Sequence, residues 1–191
     1  MDNSRLVIIT GMSGAGKTQV VHIMEDLGYF CVDNLPPALI PKFAELCAQS
    51  AGRVSRIALV VDIRGGEFFD ELMHVLGEMD REAVMAEVLF LEAADATLIQ
   101  RYKETRRRHP LAPQGRISEG IRLERDRLEY VRGRATHIID TSNLSTQQLK
   151  DRITELYGGE SERAKLSVNV VSFGFKYGIP LDADMVFDVR F

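Results

Sequence analysis

The chain has 191 residues, 45% of them hydrophobic, and a formal charge of −4. That length suits one ordinary domain with an appendage, the apolar content allows a substantial core, and the mild acidity gives no global sign of a nucleic-acid binder. No apolar run approaches a membrane span and no long apolar signal core stands at the start, so the expected setting is the cytosol.

Arg5-Leu6-Val7-Ile8-Ile9-Thr10 reads as a buried parallel strand. It runs into Gly11-Met12-Ser13-Gly14-Ala15-Gly16-Lys17-Thr18, which has the G-x-x-x-x-G-K-[ST] spacing of a phosphate-binding loop. Val20, Val21, Met24 and Leu27 then recur at helical spacing until Gly28 stops the pattern. The glycines let backbone N–H groups turn inward and approach phosphate oxygens with no Cβ in the way. The helix start adds orphan donors and a partial positive charge. Lys17 brings a full charge to the β- and γ-phosphates in a catalytic role, and the Thr18 hydroxyl is placed to ligate Mg²⁺. Strand, loop and helix together point to a nucleoside triphosphate.

Tyr29-Phe30-Cys31-Val32-Asp33 reads as a second strand, ending at Asn34-Leu35-Pro36-Pro37. Pro41 opens the next helix, which turns Phe43, Leu46 and Cys47 inward. A third strand runs Ile57-Ala58-Leu59-Val60-Val61-Asp62, a helix carries Phe69, Leu72, Met73 and Leu76, and Val88-Leu89-Phe90-Leu91 is a fourth strand. Asp95 is expected to cap a helix with Leu98, Ile99 and Tyr102 inside, ending near His109-Pro110, where proline removes a donor. An exposed loop to Arg116 leads into a helix striped by Ile117, Ile121, Leu128 and Val131. His137-Ile138-Ile139-Asp140 is the fifth strand, and Ser145 begins a helix with Leu149, Ile153 and Leu156 inward. The alternation predicts an α/β fold: a P-loop NTPase with a kinase-like parallel five-stranded sheet and helices on both faces.

The pattern changes after Gly158-Gly159. Leu166, Val168 and Val170 alternate, and Met185 to Phe191 runs strand-like to the last residue. So short a stretch cannot build a core alone. The expectation is a nucleotide-binding domain over 1–158 and, over 159–191, the start of a C-terminal domain that is mostly absent; a hairpin on the sheet edge is the alternative. Cys31 and Cys47 sit in apolar surroundings without a C-x-x-C motif and are expected to be reduced thiols. The four histidines show no pairing that resembles a triad or a ligand set.

Asp62 closes an apolar strand, where a carboxylate that holds Mg²⁺ through water opposite Thr18 belongs; the alternative is an Asp that only caps the strand end. Ile63 follows it, so no adjacent acid orients an attacking water; slow hydrolysis is expected, or a base borrowed from Asp33 or Glu67. Arg64-Gly65-Gly66 is either a mobile cation near the phosphates or a surface arginine before a turn. From Arg101 to Arg134 there are eleven Lys or Arg against five Asp or Glu. Within it, Arg106, Arg107 and Arg108 suit a basic lid over a transferring phosphoryl group, contact with an RNA backbone, or favourable charge at a helix C-terminus. Asp140-Thr141-Ser142-Asn143 either touches the nucleotide base or caps the next helix.

Longer strings resemble the RapZ/YvcJ family of bacterial nucleotide-binding proteins: Leu27 to Pro36, Leu89 to Ala93, Thr105 to Leu111, Ile139 to Ser142, Ser172 to Pro180, and Asp182 to Phe191. The likeness spans essentially the whole chain. It implies weak hydrolysis of ATP and GTP, with an ATP site on Gly11 through Thr18 and a GTP site on Asp62, Ile63, Arg64 and Gly65. In one branch it also implies an RNase adapter that presents small regulatory RNA to a ribonuclease through a C-terminal domain. Self-association stays open. So does a second class of function, a small-molecule kinase with Asp33 at the acceptor hydroxyl.

Overall fold

The apolar run that opens the chain becomes the middle of the sheet. In the computed structural model, which describes residues 5–48, 55–62, 66–81, 86–159, 170–174, 176, 178–180 and 183–188, β1 (Arg5–Gly11) is buried from its second residue onward. It lies between β3 (Arg56–Val60) and β4 (Ala86–Glu92); β2 (Phe30–Val32) and β5 (His137–Asp140) form the edges. The order is β2-β3-β1-β4-β5 and every pairing is parallel, with Ile8 facing both Leu59 and Val88 across the ladders. Val7, Ile8, Ile9, Leu59 and Leu89 have no exposed surface, as expected of strands covered on both faces.

The chain reaches the β2 edge by moving one way from β1 and then returns the other way through β3, β4 and β5. Right-handed crossovers therefore place α1 (Lys17–Asp26) on one face and the later connections on the other. Those later helices are α2 (Ile40–Ala48, after a short 3₁₀ turn), α3 (Gly66–Arg81), α4 (Asp95–Thr105) and α5 (Ile117–Gly133). The last helix, α6 (Thr146–Tyr157), packs on α1. Ser145 caps α6 by accepting the Gln148 N–H at 3.2 Å, as expected. The α6 end is held at the sheet's N-terminal edge: the Arg5 guanidinium forks onto Glu87 (2.7 and 3.1 Å), donates to the Leu156 carbonyl (3.0 Å) and lies 4.7 Å from the Tyr157 ring centre. All this leaves the opposite, C-terminal edge of the strands clear for a site.

Three expectations change. Asp95 is not a cap: Ala94 holds that position without a side-chain bond, and the Asp95 carboxylate accepts from Arg125 instead (2.6 Å). Proline does not end α4. The helix stops at Thr105 because Arg106 turns left-handed (φ 51°), with the Arg106 and Arg107 N–H groups closing onto the Lys103 and Tyr102 carbonyls. Leu46, read as facing inward, is 54% exposed on α2. Among the described residues after α6, 170–174 and 183–188 are irregular, and Val170, Met185 and Phe187 are exposed. Leu166, Val168 and the final three residues lie outside the described residues.

Candidate functional site

The phosphate loop owes its shape to close backbone approach. Gly11 ends β1 at φ 129°, where a Cβ would stand 2.0 Å from the Leu91 carbonyl oxygen. The following N–H, of Met12, donates to that same oxygen at 2.9 Å. The loop then turns through Gly14 (φ 85°) and Gly16 (φ 102°), both in conformations that L side chains avoid. Gly16 is the N-cap of α1, brings no side-chain acceptor, and is followed by no acidic residue in the first turn. The helix therefore presents its first-turn N–H groups and dipole to whatever anion enters. Lys17 folds back over the loop, its Nζ donating to the Gly11 carbonyl (2.7 Å) and the Met12 carbonyl (3.2 Å).

A cleft of about 380 Å³ opens above this loop. Ser13, Gly14, Gly16, Lys17 and Thr18 line its floor, Asp33 and Asp62 one wall, and Arg101, Arg107 and Arg108 another. Of the residues singled out in the sequence, the loop, Asp33, Asp62 and two of the three tandem arginines thus meet around one space. Met12 and Ala15 are buried beneath it and serve the loop through backbone and packing. Arg106 is the α4 C-cap and does not line the cleft. Ile63, Arg64 and Gly65 lie outside the described residues, as does the side chain of Glu67. A larger hollow, about 590 Å³ between β5 and α6, has neither turned loop amides nor clustered cations, so its chemistry offers no rival site.

Thr18 and Asp62 supply a hydroxyl and a carboxylate, both hard oxygen donors, on the same cleft. No cluster of three or more metal-binding side chains occurs among the described residues. Mg²⁺ needs only one or two such protein ligands when phosphates and waters complete its shell, so the donor set fits it.

Several residues that complete the site carry no local motif. Arg101 forks behind the loop, donating to the Gly14 carbonyl (3.0 Å), the Thr141 hydroxyl (3.0 Å) and the Thr141 carbonyl (2.8 Å). The buried Thr141 hydroxyl in turn donates to the Ala15 carbonyl at 2.9 Å. The segment after β5 therefore braces the loop and also holds itself: the Ser142 hydroxyl and N–H both donate to Asp140, keeping that carboxyl below its usual range. Under the loop, Glu124 of α5 is buried and accepts from Ser13 and His109. This network, which takes in one of the four histidines, joins residues far apart in the sequence. One signal was present, a carboxylate at the position three residues after Ile121 and four before Leu128, on the apolar stripe of α5. Cys47 is buried and Cys31 half-buried, and no disulfide joins them.

The chain matches the RapZ-like N-terminal domain over residues 4–161 and the RapZ C-terminal domain over residues 166–191. A nucleotide-binding protein of Desulforudis audaxviator is 60% identical over 191 residues, covering 100% of this chain and 65% of that protein. Another, from Desulforamulus reducens, is 59% identical over 192 residues, covering 100% and 64%. The chain thus spans a little under two thirds of these relatives' length. Among solved structures, shikimate kinase from Acinetobacter baumannii in complex with shikimate superposes with a TM-score of 0.53 at 19% identity, covering 81% of this chain and 93% of that one. The Deinococcus radiodurans tunicamycin resistance protein gives 0.54 at 20%, covering 81% and 96%. These two likenesses establish the fold alone.

Proposed function

This chain belongs to the RapZ-like N-terminal domain family, and from that premise we propose that it binds ATP or GTP with Mg²⁺ and hydrolyses it slowly in a regulatory role. The observation that carries the reading is the single cleft that joins the phosphate loop to Asp62 and to the cations of α4 and the segment after it. Backbone N–H groups of the loop Gly11 to Thr18 that are not already bonded to Leu91, Glu124 and Met12, those toward the start of α1, would hold the phosphates, and Lys17 leaves its carbonyl partners for the charge that develops on the γ-phosphoryl. Thr18 and Asp62 would hold Mg²⁺, which would supply neutralisation of the phosphate charge. With Ile63 directly after Asp62, no second acid orients water there, which supports slow turnover.

A kinase is the second reading, favoured by Asp33, whose carboxylate lines the same cleft and suits an acceptor hydroxyl. Following the labelled γ-phosphate of ATP and GTP, with and without sugars and nucleosides, separates the two. Release to water, indifferent to acceptors and abolished in Lys17→Ala with melting unchanged, is the expected result. Transfer to an acceptor would make the kinase the function, and full turnover in Lys17→Ala would remove the loop from the mechanism.

For the whole protein we propose an RNase-adapter role, in which small RNA and a ribonuclease are engaged through the region that residues 159–191 open. The match of residues 166–191 to the RapZ C-terminal domain supports that division. No helix among the described residues is long and apolar enough to cross a membrane, and a cytosolic setting accords with the reduced thiols.

A further inference from the structure

Counting donors around Glu124 gives its carboxylate a definite task. Its side chain is 6% exposed on α5, among Gly120, Ile121, Leu128 and Val131. The Ser13 N–H donates to both of its oxygens at 3.1 Å, the Ser13 hydroxyl to Oε1 at 2.6 Å, and His109 Nε2 lies 3.2 Å from Oε2. The other ring nitrogen, His109 Nδ1, accepts the Leu111 N–H at 3.2 Å. Nε2 therefore carries the proton and donates, and every group facing Glu124 is a donor. Space for the ring is made by Gly120, where a Cβ would stand 2.3 Å from His109 Nδ1.

Ser13 stands inside the phosphate loop, and His109 directly follows the tandem arginines, its ring 5.1 Å from that of Tyr102 on α4. One buried carboxylate thus holds both the floor of the cleft and the root of its cationic wall. We propose that Glu124 is a positioning residue that couples phosphate binding at the loop to the placement of Arg107 and Arg108. A triphosphate that draws the loop amides together acts on Ser13. Through Glu124 and His109 that shift reaches the arginine segment, and by reciprocity an ordered segment tightens the loop on its ligand. The inference rests on the nucleotide reading of the cleft.

Trypsin reports on the segment directly, since Arg106, Arg107 and Arg108 are exposed and cleavage follows the population of its open form. Cleavage at these arginines is measured with and without saturating Mg²⁺ and the slowly hydrolysed analogue ATPγS, beside its affinity by displacement of a fluorescent ATP. In the unaltered chain, nucleotide is expected to slow cleavage about fivefold or more, the lower end of ordinary coupling. Glu124→Gln keeps the shape but sets an amide N–H against a donating partner. It is expected to cut the protection below about twofold while still binding nucleotide. Ser13→Ala removes only the hydroxyl link; it is expected to give an intermediate value and decides the matter should Glu124→Gln fail to fold. Undiminished protection in a nucleotide-bound variant overturns the coupling and leaves the function standing. Failure of the unaltered chain to bind ATPγS or the fluorescent ATP overturns both.

Discussion

Gly120→Ala on α5 should destabilise the protein, although helix propensity argues the reverse. At an ordinary interior helix position, alanine is favoured over glycine by roughly 0.5–1 kcal/mol. Here the new methyl would meet His109 Nδ1, Cγ and Cβ at 2.3, 2.4 and 2.9 Å, about 1 Å inside ordinary contact at the closest. The ring has little room to retreat: it packs on Tyr102 and is held at 3.2 Å on both nitrogens, by Leu111 and Glu124. Overpacking costs about 1–3 kcal/mol, and a buried carboxylate deprived of a donor about 1–3 kcal/mol more. Net of propensity, a loss of about 1–5 kcal/mol is expected, a melting temperature on the order of 10 °C lower for a chain this size. Thermal and urea unfolding followed by circular dichroism measure it. Gly133→Ala, on the same helix with nothing within 4 Å of the new methyl, is the control and should be neutral or slightly stabilising. If Gly120→Ala melts at or above the unaltered chain while Gly133→Ala behaves as stated, the His109 seat is not the constraint described above.

Gly11→Ala should fare worse, because its Cβ would strike a backbone oxygen 2.0 Å away at a φ of 129°; a loss beyond about 4 kcal/mol or failure to fold is expected, and a melt within a few degrees of normal would contradict it. Arg101→Lys replaces a fork bonded to Gly14 and Thr141 with a single ammonium, so nucleotide affinity should fall about tenfold in a fluorescence titration, with equal affinity counting against the brace. Burial, reinforced by Glu25, pushes the Cys31 thiol up from 9.0 to about 11. Iodoacetamide at pH 8 should therefore meet about 100-fold less thiolate than at an ordinary cysteine, and labelling at the free-cysteine rate would refute this. Since the fold favours the neutral thiol, its contribution to stability is complete below pH 9.0 and is lost as pH rises through about 11.

Much of the architecture was legible in local pattern because its causes are local. Continuous apolar runs at β1, β3 and β4 mark strands covered on both faces, and the spacing of Gly11, Gly16, Lys17 and Thr18 marks the tightly turned loop between β1 and α1. Even Asp33 and Asp62 could be placed, because strand ends in a parallel sheet converge on one edge. Local pattern also misjudged the end of α4, since Pro110 is the conspicuous breaker but Arg106 takes the left-handed turn four residues earlier.

What remained hidden depends on which distant side chains the fold brings together. Ser13 and Glu124 are 111 positions apart and meet only because α5 packs beneath the phosphate loop. Arg101 looked like one more charge in a basic segment until the β5–α6 connection set Thr141 within 3.0 Å of it. A buried ion and a solvated one are the same letters in a sequence. Periodicity and motif sufficed for the strand, the loop and the helix, each stabilised by its own neighbours. The partners of Glu124, Arg101 and His109 were decided by tertiary packing, because a buried charge must be satisfied by whatever groups the finished fold brings within reach.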